Sequence, residues 1–294
     1  MSPAVLMLAA FIVSAAATML SALAYKSWRK RDARRSPLSG KRYGHIPGQQ
    51  LVNRSRDKQD DGIIGFMLAY FSLPLALLAW ALARVPRDRL AWERGDWIIW
   101  LFGAALLFYS VRKMIGDFRE VSRIEEGLLA ERVTGMQLNR LVAHGCTVMH
   151  DLPCEVGNID HLVIAPHAVF VVETKSFRKP TGRDDGHRVS YDGKGLTFPD
   201  FVNVDAVEQA LANAQWVARY IRNTLGRDVP VIAALALPGW FIDRTEAGKT
   251  SLVRVFTPMG RGAEFMATGI ERIGSEQRVL IAQSLATCYP VIQD

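Results

Sequence analysis

NIDHLVIAPHAVFVVETK, residues 158–175, contains two apolar runs separated by a turn. Ile159, Leu162, Val163 and Ile164 make the first, Ala168 to Val172 make the second, and Pro166 and His167 lie between them. Short β-branched runs bounded by turn residues predict two strands, buried on both faces and paired as a hairpin at the centre of a sheet. Into this apolar stretch fall Asp160, Glu173 and Lys175. Charged side chains are rarely buried without partners, so three at the ends of core strands call for an explanation. Glu173 and Lys175 are two apart and project from one face of their strand. With Asp160 at the end of the neighbouring strand on that face, two carboxylates and an ammonium converge. Two hard oxygen ligands suit Mg²⁺ or Mn²⁺. The lysine would then orient or deprotonate a water, or offset charge growing on a phosphate. The competing reading makes Asp160 a turn cap and Glu173 with Lys175 a surface pair on an edge strand.

Around the hairpin the chain reads as a succession of helices and strands. Residues 118–143 carry apolar positions at helical spacing, among them Val121, Ile124, Leu128, Leu129 and Val133, and Glu131 is the one acid expected to turn toward the sheet as a third metal ligand. Thr147–Leu152 predicts the first strand, and after Lys175 the stretch Ser176–Thr181 and the polar segment from Gly182 to Gly195 read as a loop or small hairpin beside the site. Together they contain Arg178, Lys179, Arg183 and Arg188, a basic cluster able to hold phosphates if it is not simply solvated. Val204–Leu225 predicts an amphipathic helix stopped by Gly226, with Gln209 on the rim of its apolar face beside Ala206 and Asn213. Val229–Leu237 and Leu252–Thr257 add two strands, and Gln277–Ala286 a closing helix.

The string IDHLVIAPHAVFVVETKS resembles the core of the nuclease-related domain family, and Asp160 followed by Glu173-Thr174-Lys175 has the form of the PD-(D/E)xK nuclease superfamily motif. Upstream, Gly127-Leu128-Leu129-Ala130-Glu131 is similar to that family's G-x-x-G-E helix start, with Ala130 in place of the second glycine. Downstream, Gln209 falls where the family has a helix glutamine. The resemblance covers roughly residues 120 to 260. It implies an α/β fold, a restriction-endonuclease-like mixed central sheet flanked by helices. It also implies a Mg²⁺- or Mn²⁺-dependent nuclease with Asp160, Glu173, Lys175, Glu131 and Gln209 as catalytic residues, the first two and Glu131 on the metal. DNA is the implied substrate, with RNA left open. A catalytically silent nucleic-acid-binding or sensing module and a membrane assembly scaffold are the alternatives.

The other classes of chemistry find little support. Cys146, Cys154 and Cys288 form no CxxC, which argues against a disulfide framework or zinc site. His144, His150, His161 and His167 form no HExxH, no G-x-S-x-G is present, and His161 reads as structural.

The net charge of +7 is unevenly placed. Residues 1–119 hold 18 Lys and Arg against 8 Asp and Glu, while residues 120–294 hold 18 against 21. The basic excess therefore belongs to a part with three apolar spans, 5–25, 63–83 and 97–115. The first two are uncharged and, at ~1.5 Å per residue, long enough to cross ~30 Å of hydrocarbon. A cleaved signal peptide is the rival at the first span, but no positive charge precedes it. Loop 26–62 carries eleven Lys and Arg and segment 84–96 carries four, which places the loop in the cytoplasm beside anionic lipid headgroups. The expected organisation is a membrane region, 1–116, and a nuclease-related domain, 117–294, on the cytoplasmic side of a bacterial-type inner membrane. The implied partners are DNA, the bilayer and a second copy of the chain.

Overall fold

A computed structural model describes residues 96–289 apart from 156, 181, 183 and 184, together with residues 51, 52, 55 and 71. The expected spans 5–25 and 63–83 and the loop 26–62 therefore lie almost wholly outside the described residues. Two compact parts meet at Ser122 and Arg123, inside helix α1 (Asp96–Asn139), and are described separately.

The part of α1 before Arg123 contains the third expected span. Among the described residues no helix is long and apolar enough to cross a membrane. The uncharged run of 97–115 ends at Arg112 and Lys113, and Lys113 pairs with Asp117 at 3.4 Å. The stretch 97–115 and most of the helix expected over 118–143 lie in one helix of 44 residues, α1. Trp97, Ile98, Leu101, Phe108, Tyr109 and Phe118 are all exposed along it.

In the second part the expected mixed sheet is present, with helices on both of its faces. Strands β1 (Thr147–Cys154), β2 (Gly157–Ile164) and β3 (Val169–Thr174) run antiparallel, β7 (Val231–Ala236) adds to β3 in parallel, and β9 (Val253–Phe256) adds to β7 in parallel. Every residue of β3 is buried, as a strand covered on both faces requires. On one side Leu162, Ile164, Val169, Val171 and Leu235 share a core with Ala206, Ala210, Ala214 and Val217 of α2 (Asp205–Leu225). On the other, Val163, Phe170, Val172 and Ala234 pack with Leu138, Leu141 and Met266. Ala206, Ala210 and Ala214 are buried in this core from α2, and Asn213 on the same helix reaches Glu173 of β3.

A second, smaller sheet was not expected. It orders β6 (Val202–Asn203), β5 (Leu196–Thr197), β4 (Arg188–Tyr191) and β8 (Phe241–Arg244), where only a loop or small hairpin was anticipated. A short helix α3 (Glu246–Thr250) and the closing helix α4 (Ser275–Ala286) complete the chain. Ile281 and Leu285 of α4 are buried in the same core as α2.

Candidate functional site

Strand register builds the site. Leu162 faces Val171 and His161 faces Val172 across β2 and β3, and one further step of that register sets Asp160 opposite Glu173. Oδ2 of Asp160 accepts a hydrogen bond from the Thr174 backbone N–H at 2.7 Å, which ties the two strand ends together. Glu173 is 2% exposed, and both its oxygens are engaged. Oε1 accepts from Lys175 Nζ at 2.8 Å and Oε2 from Asn213 Nδ2 at 2.9 Å. Lys175 Nζ also donates to Gln209 Oε1 at 2.8 Å. An ammonium has three N–H donors, so one remains for a water or a phosphate oxygen.

Glu131 approaches from α1. Burial first, then the charges of Asp151 and Glu173, push its carboxyl up to about 7, while Lys175 pulls the other way. Burial, then Glu173 and Glu131, likewise raise Asp160 well above the ordinary carboxylate range, against the Thr174 N–H and Lys175. The sequence-predicted quintet of Asp160, Glu173, Lys175, Glu131 and Gln209 is thus linked by hydrogen bonds or by charge.

Two residues escaped the sequence reading as participants. Asn213 was placed on the rim of the helix without a role, although its position one turn after Gln209 was a usable signal. Asp151 was read only as part of a strand. It has a left-handed φ of 51°, which aspartate tolerates better than most residues, and it accepts a hydrogen bond from the Asn158 side chain. Its charge is felt by Glu131, so the acidic character of the site exceeds the expected three carboxylates.

The basic residues are dispersed among different partners. Arg178 forms a forked pair with Glu126 of α1, with contacts of 2.6 and 2.8 Å. Arg188 pairs with Asp243 at 2.9 Å and lies over the Phe241 ring, and Lys179 lies over Trp240. Arg183 lies outside the described residues. These pairings are exposed, so a polyanion can compete for the cations at small cost.

His161 is structural here. Its Nδ1 contacts His150 Nδ1 at 2.9 Å, and His150 Nε2 contacts Asn139 Oδ1 at 3.0 Å. With both rings neutral and the Asn139 oxygen as acceptor, His150 must donate from Nε2 and accept at Nδ1, so His161 donates from Nδ1. His161 Nε2 is then a bare acceptor, buried without a partner among the described residues. Burial and then His150 lower its pKa to about 3, which keeps it neutral.

The donor set suits a divalent cation. Asp160, Glu173 and Glu131 supply hard oxygens, and Glu173 keeps unused lone pairs beside its two hydrogen bonds. Burial and then mutual repulsion raise two of these acids, and a cation relieves the repulsion directly. The chemistry of the residues fits the ion. Among the described residues, however, no group of three acidic, histidine or cysteine side chains is closed on a common point.

A pH dependence follows. Glu131 shifts from 4.5 to about 7 on folding, so between those values the folded state keeps a proton that the unfolded chain has lost. Stability of the metal-free protein should therefore fall as pH rises from about 4.5 through about 7. Melting temperatures in EDTA across pH 5 to 8 should show this decline, and Glu131→Gln should flatten it. A wild-type profile already flat would remove the crowded-carboxylate account.

The family model described as nuclease-related domain matches residues 126–238, a stretch that includes all five expected site residues and Asn213. No curated protein and no solved structure matches the chain.

Proposed function

We propose, from the premise that residues 126–238 are a nuclease-related domain of the PD-(D/E)xK nuclease-like superfamily, that this chain is a metal-dependent nuclease hydrolysing DNA phosphodiester bonds. One observation carries the reading: Glu173 on β3, Lys175 just past its end and Gln209 on α2 form one hydrogen-bonded network beside Asp160. Asp160, Glu173 and Glu131 would hold Mg²⁺ or Mn²⁺, which when bound supplies Lewis acidity toward the phosphate and makes water acidic enough to attack near neutral pH. Lys175, steadied by Glu173 and Gln209, presents its remaining N–H to the water or to a phosphate oxygen. Lys179, Arg178 and Arg188, with Arg183, would meet the DNA backbone by exchanging their present partners for phosphates.

The test is cleavage of plasmid DNA by the purified full chain with Mg²⁺ or Mn²⁺, stopped by EDTA. A nucleic-acid-binding module without turnover is the second reading, favoured by the absence, among the described residues, of three ligands closed on one point. Binding without cleavage under every divalent ion tried would establish that second reading.

Membrane attachment belongs to the same proposal. The uncharged spans 5–25 and 63–83 and the exposed apolar side chains of α1 from Trp97 to Phe118 support it. Span parity sets the side: loop 26–62 in the cytoplasm and a crossing at 97–115 return the nuclease domain to the cytoplasm, whereas two crossings alone leave it outside. For 97–115 to cross, Arg112 and Lys113 would have to snorkel to the interface. In a background without Cys146, Cys154 and Cys288, an impermeant thiol reagent applied to intact cells should label Ser2→Cys and spare Ser39→Cys. A tag after Asp294 should stay protected from external protease. Labelling at position 39, or loss of the tag, would overturn this topology.

A further inference from the structure

Asn213 is a polar residue on the apolar face of α2, between Ala210 and Ala214 on one side and Val217 on the other. It is 5% exposed. A buried amide without partners is costly, so its presence there needs an explanation in hydrogen bonds. Its Nδ2 donates to Glu173 Oε2 at 2.9 Å. One turn earlier on the same helix, Gln209 accepts from Lys175, and Lys175 donates to the other Glu173 oxygen. Two helix positions thus grip two strand positions, and the Glu173 carboxylate is held by a different donor at each oxygen.

The consequence concerns orientation. A carboxylate bonded at one oxygen still pivots about its terminal torsion, which is broad and roughly two-fold. A second bond at the other oxygen removes that freedom. Lone pairs not used by Lys175 and Asn213 then point in a fixed direction, and an arriving cation meets a ligand already set. We infer that Asn213 is a positioning residue for the metal: it fixes the plane of the Glu173 carboxylate, so its loss weakens metal capture without disturbing the lysine that acts on the water. This rests on the nuclease reading above. Asn213 also gives the carboxylate a neutral donor where a lysine or arginine would repel an incoming cation.

Outer-layer partners of metal ligands are typically worth 10-fold to 100-fold in affinity. Mn²⁺ titration followed by electron paramagnetic resonance, without DNA present, should show Asn213→Ala binding about 10-fold to 100-fold more weakly than wild type. Turnover at fixed low Mn²⁺ should fall by a similar factor, with KM for DNA unchanged, and saturating Mn²⁺ should restore kcat. Lys175→Ala should show no such recovery. Asn213→Asp keeps the volume but sets a carboxylate against Glu173, so it serves if the alanine variant does not fold, and its Mn²⁺ affinity should also depart from wild type. Wild-type Mn²⁺ affinity in a folded Asn213 variant would overturn the inference, as would a kcat loss in Asn213→Ala that saturating Mn²⁺ leaves in place; in both cases the nuclease reading stands. A wild-type chain that neither binds Mn²⁺ nor cuts DNA would overturn that reading, and this inference with it.

Discussion

Replacing Asp160 with alanine is expected to abolish metal binding and DNA cleavage together. Mg²⁺ gives up hydration water reluctantly, and the carboxylates left at Glu173 and Glu131 must compete with that water without the strand-end ligand. The substitution also removes the acceptor of the Thr174 N–H, so the β2 and β3 ends lose the bond that ties them. Asp160→Asn separates these effects, because it keeps an oxygen acceptor for Thr174 while discarding the charge. Cleavage should fall below detection in both variants, and calorimetric Mn²⁺ titration should show no site in either. Because burial and its acidic neighbours raise Asp160, removing its charge should also make the metal-free protein more resistant to heat at pH 8 in the asparagine variant. Residual cleavage near the wild-type rate would mean that Asp160 caps a turn and the catalytic carboxylates lie elsewhere.

Lys175→Ala should leave Mn²⁺ binding largely intact while turnover falls on the order of 10²-fold or more. The ammonium contributes water orientation and charge stabilisation, and neither is needed to hold the ion. Lys175→Arg should not rescue. A planar guanidinium cannot supply a compact point charge at the site where Nζ now lies 2.8 Å from both Glu173 and Gln209. Single-turnover kinetics at saturating Mn²⁺ would separate the chemical step from binding. A Lys175→Ala enzyme within about threefold of wild type in that assay would assign the lysine to the fold and not to the reaction.

Much of this site could be read from residue order because its central part is local. The hairpin needs only apolar runs and the Pro166-His167 turn, and strand alternation alone puts Glu173 and Lys175 on one face. The amphipathic stripe of α2 announced itself in the same way, and Gln209 followed from the family resemblance. The second sheet did not announce itself: β5 and β6 have two residues each, and β8 is exposed or half-exposed along its length, so neither shows a usable alternation. The fates of Arg178 and Asn213 were hidden for another reason. Arg178 finds Glu126, 52 positions away, and Asn213 finds Glu173, 40 positions away, and such meetings are fixed by tertiary packing and not by local pattern. That the stretch 97–115 and the helix expected after it are continuous was also hidden, because hydropathy alone does not show where a helix ends, and this one runs on through Lys113 and Asp117 to Asn139.

The antiparallel run of β1, β2 and β3 followed by the parallel additions of β7 and β9 also sets an order of assembly. Neighbouring antiparallel strands close short loops, whereas β7 can join β3 only after the whole excursion through the small sheet and α2. Contacts between residues close in sequence form fastest, so the hairpin brings Asp160 and Glu173 together before α2 delivers Asn213 and Gln209. The growing chain thus gathers its negative charge early and receives most of the side chains that steady it late. Until then only Lys175 and the Thr174 N–H offset the two carboxylates, so a proton or a divalent ion in the surrounding solution is expected to favour that interval of assembly.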